Sequence, residues 1–195
     1  MKKTKKNFVA IIPARAKSAE LKNKNIIRIK KHPLISYSIE AAKKSKFIKR
    51  VFVTTDGKKI AKISKIYGAD IIKRPMALAG NIIMPDASIV HAINHIEKNL
   101  NISFDNIVFL QPTSPIRKHS DIDNAIKLFK KKNADSLFSS VDIHPLMWKI
   151  KKNKATPLNY NYKKRVRRQD TEKNVVENGS IYITKKNIFK KYKSR

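Results

Sequence analysis

Arg15 stands two residues beyond the end of a short apolar run, Phe8 to Ile12, that Pro13 closes, and Lys24 and Asn25 follow it. Arg74 directly precedes Pro75, while Gln111 leads a Pro-Thr-Ser-Pro string that runs on to Arg117. Guanidinium and ammonium groups capture anions through charge-assisted hydrogen bonds, Arg as a planar fork and Lys as a point charge. A planar amide such as Gln111 reads hydroxyl or amide groups. These residue types suit the holding and aiming of a polar, anionic ligand. They do not suit covalent attack. The chain has no cysteine, and no serine or histidine sits in a recognisable hydrolase context. No GxxxxGK[ST] loop occurs either. His91 and His95 are four apart on an expected helix, a spacing a metal can use. No third ligand accompanies them, and Ala92, Ile93 and Ile96 around them read as core.

The elements that must position these residues alternate between two periods. Phe8–Ile12, Arg50–Thr54, Asn106–Leu110, Ser136–Val141 and Ser180–Ile183 read as short strands, with Ala69–Ile72 as a short strand or extended piece. Helices are expected from Pro33 to about Ser45, from Ile60 to Gly68, from Asp86 to Leu100, and from Ser120, as a cap, to about Lys131. Residues 14–32 read as a long polar loop, and Asn178-Gly179 as a turn. Short apolar strands alternating with helices imply βαβ units and a mostly parallel sheet covered on both faces. In such sheets ligands lie beyond the carboxyl ends of the strands. The segments expected there are 13–25, Thr54-Thr55-Asp56 and Gln111–Arg117, and all are polar. Residues 142–178 show no clear period and read as an excursion, a hairpin arm.

With 195 residues, 41% hydrophobic and 30% charged, the chain reads as one soluble globular domain rather than a disordered one. No apolar run reaches the roughly 18–20 residues of a membrane span. The run at Phe8–Ile12 is too short for a signal-peptide core. Lack of cysteine is compatible with a reducing cytoplasm. The formal charge of +31 comes mostly from lysine, 36 of 45 basic residues, spread over nearly every segment. It implies generic attraction to polyanions and points to no single partner. Only the run 163–168 and the two termini are dense. One apolar residue interrupts the run and no aromatic pair lies inside it, so it offers no evident base-stacking platform, although Tyr160 and Tyr162 lie just before it.

Read in order, several strings resemble one family. Val9-Ala10-Ile11-Ile12-Pro13-Ala14-Arg15, then Ser18, then Lys24-Asn25, resembles the opening signature of the acylneuraminate cytidylyltransferases, or CMP-sialic acid synthetases. His32-Pro33-Leu34-Ile35, Val53-Thr54-Thr55-Asp56, Tyr67-Gly68-Ala69-Asp70 and Arg74-Pro75 follow, with Leu78-Ala79 after them. The most specific string is Leu110-Gln111-Pro112-Thr113-Ser114-Pro115-Ile116-Arg117. Ala134-Asp135-Ser136, Arg167-Arg168-Gln169-Asp170 and Glu177-Asn178-Gly179-Ser180-Ile181-Tyr182-Ile183 complete a resemblance over residues 8–184. The related class that activates 3-deoxy-octulosonate matches the Gln-Pro-Thr-Ser-Pro string less well.

The resemblance implies a three-layer, Rossmann-like nucleotidyltransferase fold with a protruding arm that serves dimerisation and substrate binding. It implies attack by the anomeric hydroxyl of a nine-carbon 2-keto sugar acid on the α-phosphorus of CTP, assisted by Mg²⁺, in a cytoplasmic homodimer that needs neither membrane nor nucleic acid. Cell-surface polysaccharide synthesis is the setting it suggests. Arg15 and Lys24 take the catalytic positions by this resemblance. Arg15, Ser18, Lys24, Asn25 and Arg74 take the nucleotide positions; Gln111, Thr113, Arg168, Gln169 and Asn178 take the sugar positions. Several residues keep two readings. Ser18 donates to phosphate or makes a turn. Asp56 bonds ligand or caps the next helix. Thr113 and Ser114 line the pocket or shape the loop, and Arg117 pairs with substrate or orients that loop. Asn178 meets substrate or simply turns the chain, and the 163–170 run is an arm element, a solvated face or an RNA patch.

Two departures from the family are visible. Its glycine-rich phosphate loop is replaced by Ala16-Lys17-Ser18-Ala19-Glu20, which has no glycine to bring backbone N–H groups close to phosphate. Its paired C-terminal aspartates, which bind Mg²⁺, have no counterpart before Arg195; the expectation is that the C-terminal part of the family domain is missing and that the metal ligands are unknown. A second reading follows, a non-catalytic relative, truncated or drifted, that keeps the fold and nucleotide binding.

Overall fold

The computed structural model describes residues 8–16, 21, 23–80, 84–170 and 173–194. They fall into two compact units, one comprising the chain up to Ser139 together with Gly179 onward, the other Ser140–Asn178.

The first unit is built on β1 (Phe8–Pro13), β2 (Arg28–Ile29), β3 (His32–Pro33), α1 (Leu34–Lys44), β4 (Ile48–Thr55), α2 (Lys58–Ile66) and β5 (Asp70–Lys73). It continues with α3 (Pro85–Asn99), β6 (Asn106–Leu110), α4 (His119–Lys131) and β7 (Ser136–Asp142). The second unit holds β8 (Trp148–Lys151) and β9 (Lys154–Pro157) before the chain returns through β10 (Val175–Lys185) to α5 (Lys186–Tyr192). The main sheet has the order β5-β4-β1-β6-β10-β7. β1 pairs in parallel with β4 and β6, and β4 in parallel with β5, while β10 runs antiparallel to β6.

The alternation along β1 explains the layers. Successive side chains of a strand point to opposite faces. Phe8, Ala10 and Ile12 pack with Ile35 and Ile39 of α1, Ile60 of α2, and Ile122 and Ile126 of α4. Val9 and Ile11 pack on the other face with Ile89, Ile93 and Ile96 of α3 and with Phe189 of α5. β1 is therefore buried on both sides, which is why it reads as an unbroken apolar run. On the second face Lys186 and Lys190 both bond Glu97, tying α5 to α3; the two ammonium groups hold that carboxyl below its ordinary range. Among the described residues, no helix is long and apolar enough to cross a membrane.

The mostly parallel α/β sheet covered on both faces is the fold expected from the sequence. Three local expectations are corrected. Residues 14–32 hold a 3-10 turn at Lys24–Ile26 and the strand β2 rather than only loop, β2 then pairing with β3. α4 begins at His119, with the Asp121 carboxylate accepting the Lys118 N–H at 2.9 Å, so Ser120 lies inside the first turn and is not its cap. Asn178-Gly179 lies within β10 and does not end it; Gly179 takes φ +71, the left-handed region that glycine enters without steric cost, in the middle of the strand.

The 140–178 unit is a small structure in itself. Trp148 pairs with Pro157 and Ile150 with Ala155 across the β8–β9 hairpin. Lys152 and Asn153 turn it with φ of +47 and +60, the conformation that suits a two-residue hairpin loop. Trp148 packs edge-on to Tyr160, and Arg165 covers the Tyr160 ring. None of its described residues is buried.

Candidate active site

Register alone brings the polar segments together. Pro13 pairs with Thr54 and Thr55 with Lys73, so Arg15, Asp56 and Arg74 leave three neighbouring strands at one end of the sheet. Ile11 pairs with Phe109, which carries Gln111 to the same end on the other side of β1. The chain builds outward from β1 through β4 to β5, then crosses to β6 on the opposite side. The gap between β1 and β6 is thus the topological switch point, where open α/β sheets bind ligands.

Arg74 is the least ordinary residue at this end. Only 6% of its surface is exposed. One guanidinium nitrogen donates to the Thr54 carbonyl at 2.9 Å, and its Nε is buried with no hydrogen-bond partner. Burial pushes its pKa down, the Asp56 carboxylate opposes that, and the nearby Arg15 cation adds to it. Arg15 itself is half-buried and reaches the Gly80 carbonyl at 3.5 Å. Two cations thus lie within each other's field, with the Asp56 carboxylate opposing the shift of the buried one.

Asp56 resolves its two readings in a third way. It accepts the Ala16 N–H at 2.8 Å and so ties the backbone beyond β1 to the tip of β4. Gly57, not Asp56, occupies the position preceding α2. Asn25 is buried and donates from its amide to the Arg15 carbonyl at 3.0 Å, fixing the chain on which Arg15 rides. Lys24 is half-buried in the same 3-10 turn. Ser18 lies outside the described residues, as do Lys17, Ala19 and Glu20 of the phosphate-loop position.

On the β6 side, Thr113 donates to the Gln111 side-chain oxygen at 3.3 Å, and the Gln111 carbonyl accepts from Ser38 at 3.1 Å. Gly179 lies against the Gln111 amide; a Cβ there would come within 3.4 Å of it. Arg117 is buried and bonds Ser38 of α1, Ser180 of β10 and the Gln111 carbonyl of its own loop, contacts that suit the loop-orienting reading. Ser38 was not singled out from the sequence. It is one of three hydroxyl residues, Ser36, Tyr37 and Ser38, between Ile35 and Ile39 of α1, and nothing in the local string sets it apart. Arg168, Gln169 and Asn178 belong to the 140–178 unit, the first two in a 3-10 turn where Arg167 pairs with Asp170 at 2.8 Å.

His91 and His95 stack with ring centroids 6.2 Å apart. His91 is held below its ordinary pKa by burial, then by His95 and Arg74, and its Nδ1 is buried without a partner. Among the described residues no three His, Asp or Glu side chains gather to hold a metal. A hard divalent ion wants several carboxylate oxygens. Asp56, the carboxylate beside Arg74, is already bonded to the Ala16 amide. The described residues therefore do not fit Mg²⁺.

The cytidylyltransferase family model matches residues 9–194. This chain is a cytidylyltransferase-family protein. Within the family, it is 38% identical to the N-acylneuraminate cytidylyltransferase of Escherichia coli O18:K1:H7 over 123 residues, 63% of this chain and 28% of that protein. It is 33% identical to N-acylneuraminate cytidylyltransferase A of Danio rerio over 187 residues, 94% of this chain and 42% of that protein. The chain thus spans less than half the length of either relative. Among solved structures it resembles CMP:2-keto-3-deoxy-manno-octonic acid synthetase complexed with CTP, with a TM-score of 0.72 at 19% identity, covering 95% of this chain and 77% of that one. At that identity the likeness speaks for the cytidylyltransferase fold.

Proposed function

We propose that this protein activates a sialic-acid-like 2-keto sugar acid with CTP. The triphosphate lies against Arg15, Arg74 and Lys24, with Ser18 and Asn25 on the nucleotide. The sugar acid lies beside Gln111 and Thr113, and Arg168, Gln169 and Asn178 are assigned to it by resemblance alone. The anomeric oxygen forms a bond to the α-phosphorus as the bond to the β-phosphate oxygen breaks. Pyrophosphate leaves with the electron pair, and the hydroxyl proton passes to solvent. Such a transfer needs positioning and charge stabilisation more than covalent help from the protein. Mg²⁺ is the ion the resemblance implies; because the described residues do not fit it, no step here runs through it.

The observation that carries this reading is the buried Arg74 beside Arg15 at the switch point, a cation whose Nε has no acceptor. An anion at the strand tips supplies one. The names of the relatives support the same substrates. Pyrophosphate release from CTP in Mg²⁺ buffer, with sialic, legionaminic and pseudaminic acids each in turn, is expected above the protein-free blank. No release with any acid overturns the activity. The lack of glycine in residues 16–20 favours one alternative, nucleotide binding without turnover; calorimetric CTP binding with no pyrophosphate identifies it.

A homodimer belongs to the same proposal. Leu146, Met147, Trp148, Ile150 and Leu158 of the 140–178 unit are exposed, with Ile150 at 76%. The unit has ten basic and four acidic residues, a net charge per residue no higher than that of the whole chain, which argues against a dedicated RNA patch. A second copy is the occupant that suits an apolar hairpin face. Light scattering is expected to give about twice the 22.4 kDa chain mass. The pair Trp148→Ser and Ile150→Lys is expected to halve that mass. A monomeric wild type overturns the dimer.

A further inference from the structure

We propose that Arg117 is a positioning residue that fixes the Gln111 amide for the sugar acid, an inference resting on the functional reading above. Arg117 and Gln111 bracket the loop between β6 and α4. One Arg117 nitrogen donates to the Ser180 carbonyl and, at 3.2 Å, to the Ser180 hydroxyl at the sheet end of β10. The other donates to Ser38 Oγ of α1 at 2.7 Å and to the Gln111 carbonyl at 3.4 Å. Ser38 in turn donates to that same carbonyl at 3.1 Å. One planar fork therefore closes the loop on itself and staples it to a helix and to a strand.

The side-chain end of Gln111 is held by the same strand. Gly179 immediately precedes Ser180, and its open face lies 3.4–3.5 Å, counted from where a Cβ would stand, from all three atoms of the Gln111 amide group. Because Arg117 grips Ser180 and the Gln111 carbonyl together, it sets the spacing between the amide and the glycine wall behind it. Thr113, inside the bracketed loop, then bonds the amide oxygen. Arg117 is 8% exposed with both terminal nitrogens bonded to protein, and burial brings its pKa down to about 10 against the opposing Asp121 carboxylate. Both terminal nitrogens are thus committed to protein acceptors, while the Nε is buried without a partner. A lysine cannot replace it, since a point charge does not serve two elements with fixed geometry.

The test separates positioning from general damage. Arg117→Met is expected to raise the KM for the sugar acid at least about tenfold while the KM for CTP stays within roughly twofold. In a Gln111→Ala background the same change is expected to add less than about twofold, because the two residues act as one unit. Arg117→Lys, the milder variant should Arg117→Met fail to fold, is expected to raise the sugar-acid KM in the same sense. Equal losses for CTP and sugar acid, or full additivity with Gln111→Ala, overturn the proposal. Hydrogen exchange provides an arm that does not need turnover: amides 112–117 and 179–181 are expected to exchange faster in the variant, with 13–15 and 53–55 unchanged. If the wild type turns over no acid, the functional reading fails, and unchanged exchange at 112–117 and 179–181 still refutes the positioning role.

Discussion

Arg15→Ala is expected to lower kcat/KM for CTP by about 10²–10³-fold, the range for losing one preorganised donor to developing charge. The melting temperature is expected to hold. Arg15 is half-buried at a strand tip, and the contact it makes to Gly80 is long, at 3.5 Å. Its cation depresses Arg74, so its removal relieves a like-charge repulsion in the free protein. The expected change in stability is small, within about 1 kcal/mol. Activity and stability therefore separate. Arg15→Lys keeps the charge and loses the fork, and its kcat/KM is expected to lie between wild type and alanine. Steady-state pyrophosphate release, read alongside thermal melting, checks both. An alanine variant within about threefold of wild type would remove Arg15 from the triphosphate.

What the sequence made legible follows from local physics. β1, β4 and β6 were readable because central parallel strands, buried on both faces, must be apolar throughout; Phe8–Ile12 and Asn106–Leu110 leave no other reading in a chain punctuated by Pro13 and Pro112. Once the strands were placed, their tips followed, and Arg15, Arg74 and Gln111 came to one end of the sheet with no knowledge of tertiary contacts. The contacts of Asp56, Asn25 and Arg117 were not legible. Each depends on a partner distant in sequence: Asp56 on Ala16, Asn25 on the Arg15 carbonyl, and Arg117 on Ser38, 79 residues away. The Gly179 error has a different cause. Asn-Gly is the strongest short turn signal, but a positive φ is equally served by a glycine inside a strand where another side chain approaches. Gln111, which fills that space, is invisible from the local string.

Arg74→Met is expected to melt at or above the wild-type temperature and to lose at least about a hundredfold in kcat/KM. The sign follows from the direction of the pKa change. A cation whose pKa falls on folding is worse off folded than in water, and here burial is the leading cause, with Asp56 opposing it and Arg15 adding to it. Methionine fills similar space and carries no charge to desolvate, which removes the cost that burial imposes on the guanidinium. The residue left behind does not suffer much. Asp56 is not fully buried and keeps its bond from the Ala16 amide. The same logic predicts how ligand changes the comparison. An anion supplies the missing counter-charge, so CTP at about a hundredfold excess over its Kd is expected to stabilise the wild type by ~2.7 kcal/mol. For a chain of this size each ~1 kcal/mol is worth roughly 2–4 °C. The methionine variant is expected to show little of that shift. If Arg74 were instead a structural strut for the Thr54 carbonyl, the variant would melt well below the wild type and CTP would still raise both, and that pair of results would move the anion site elsewhere.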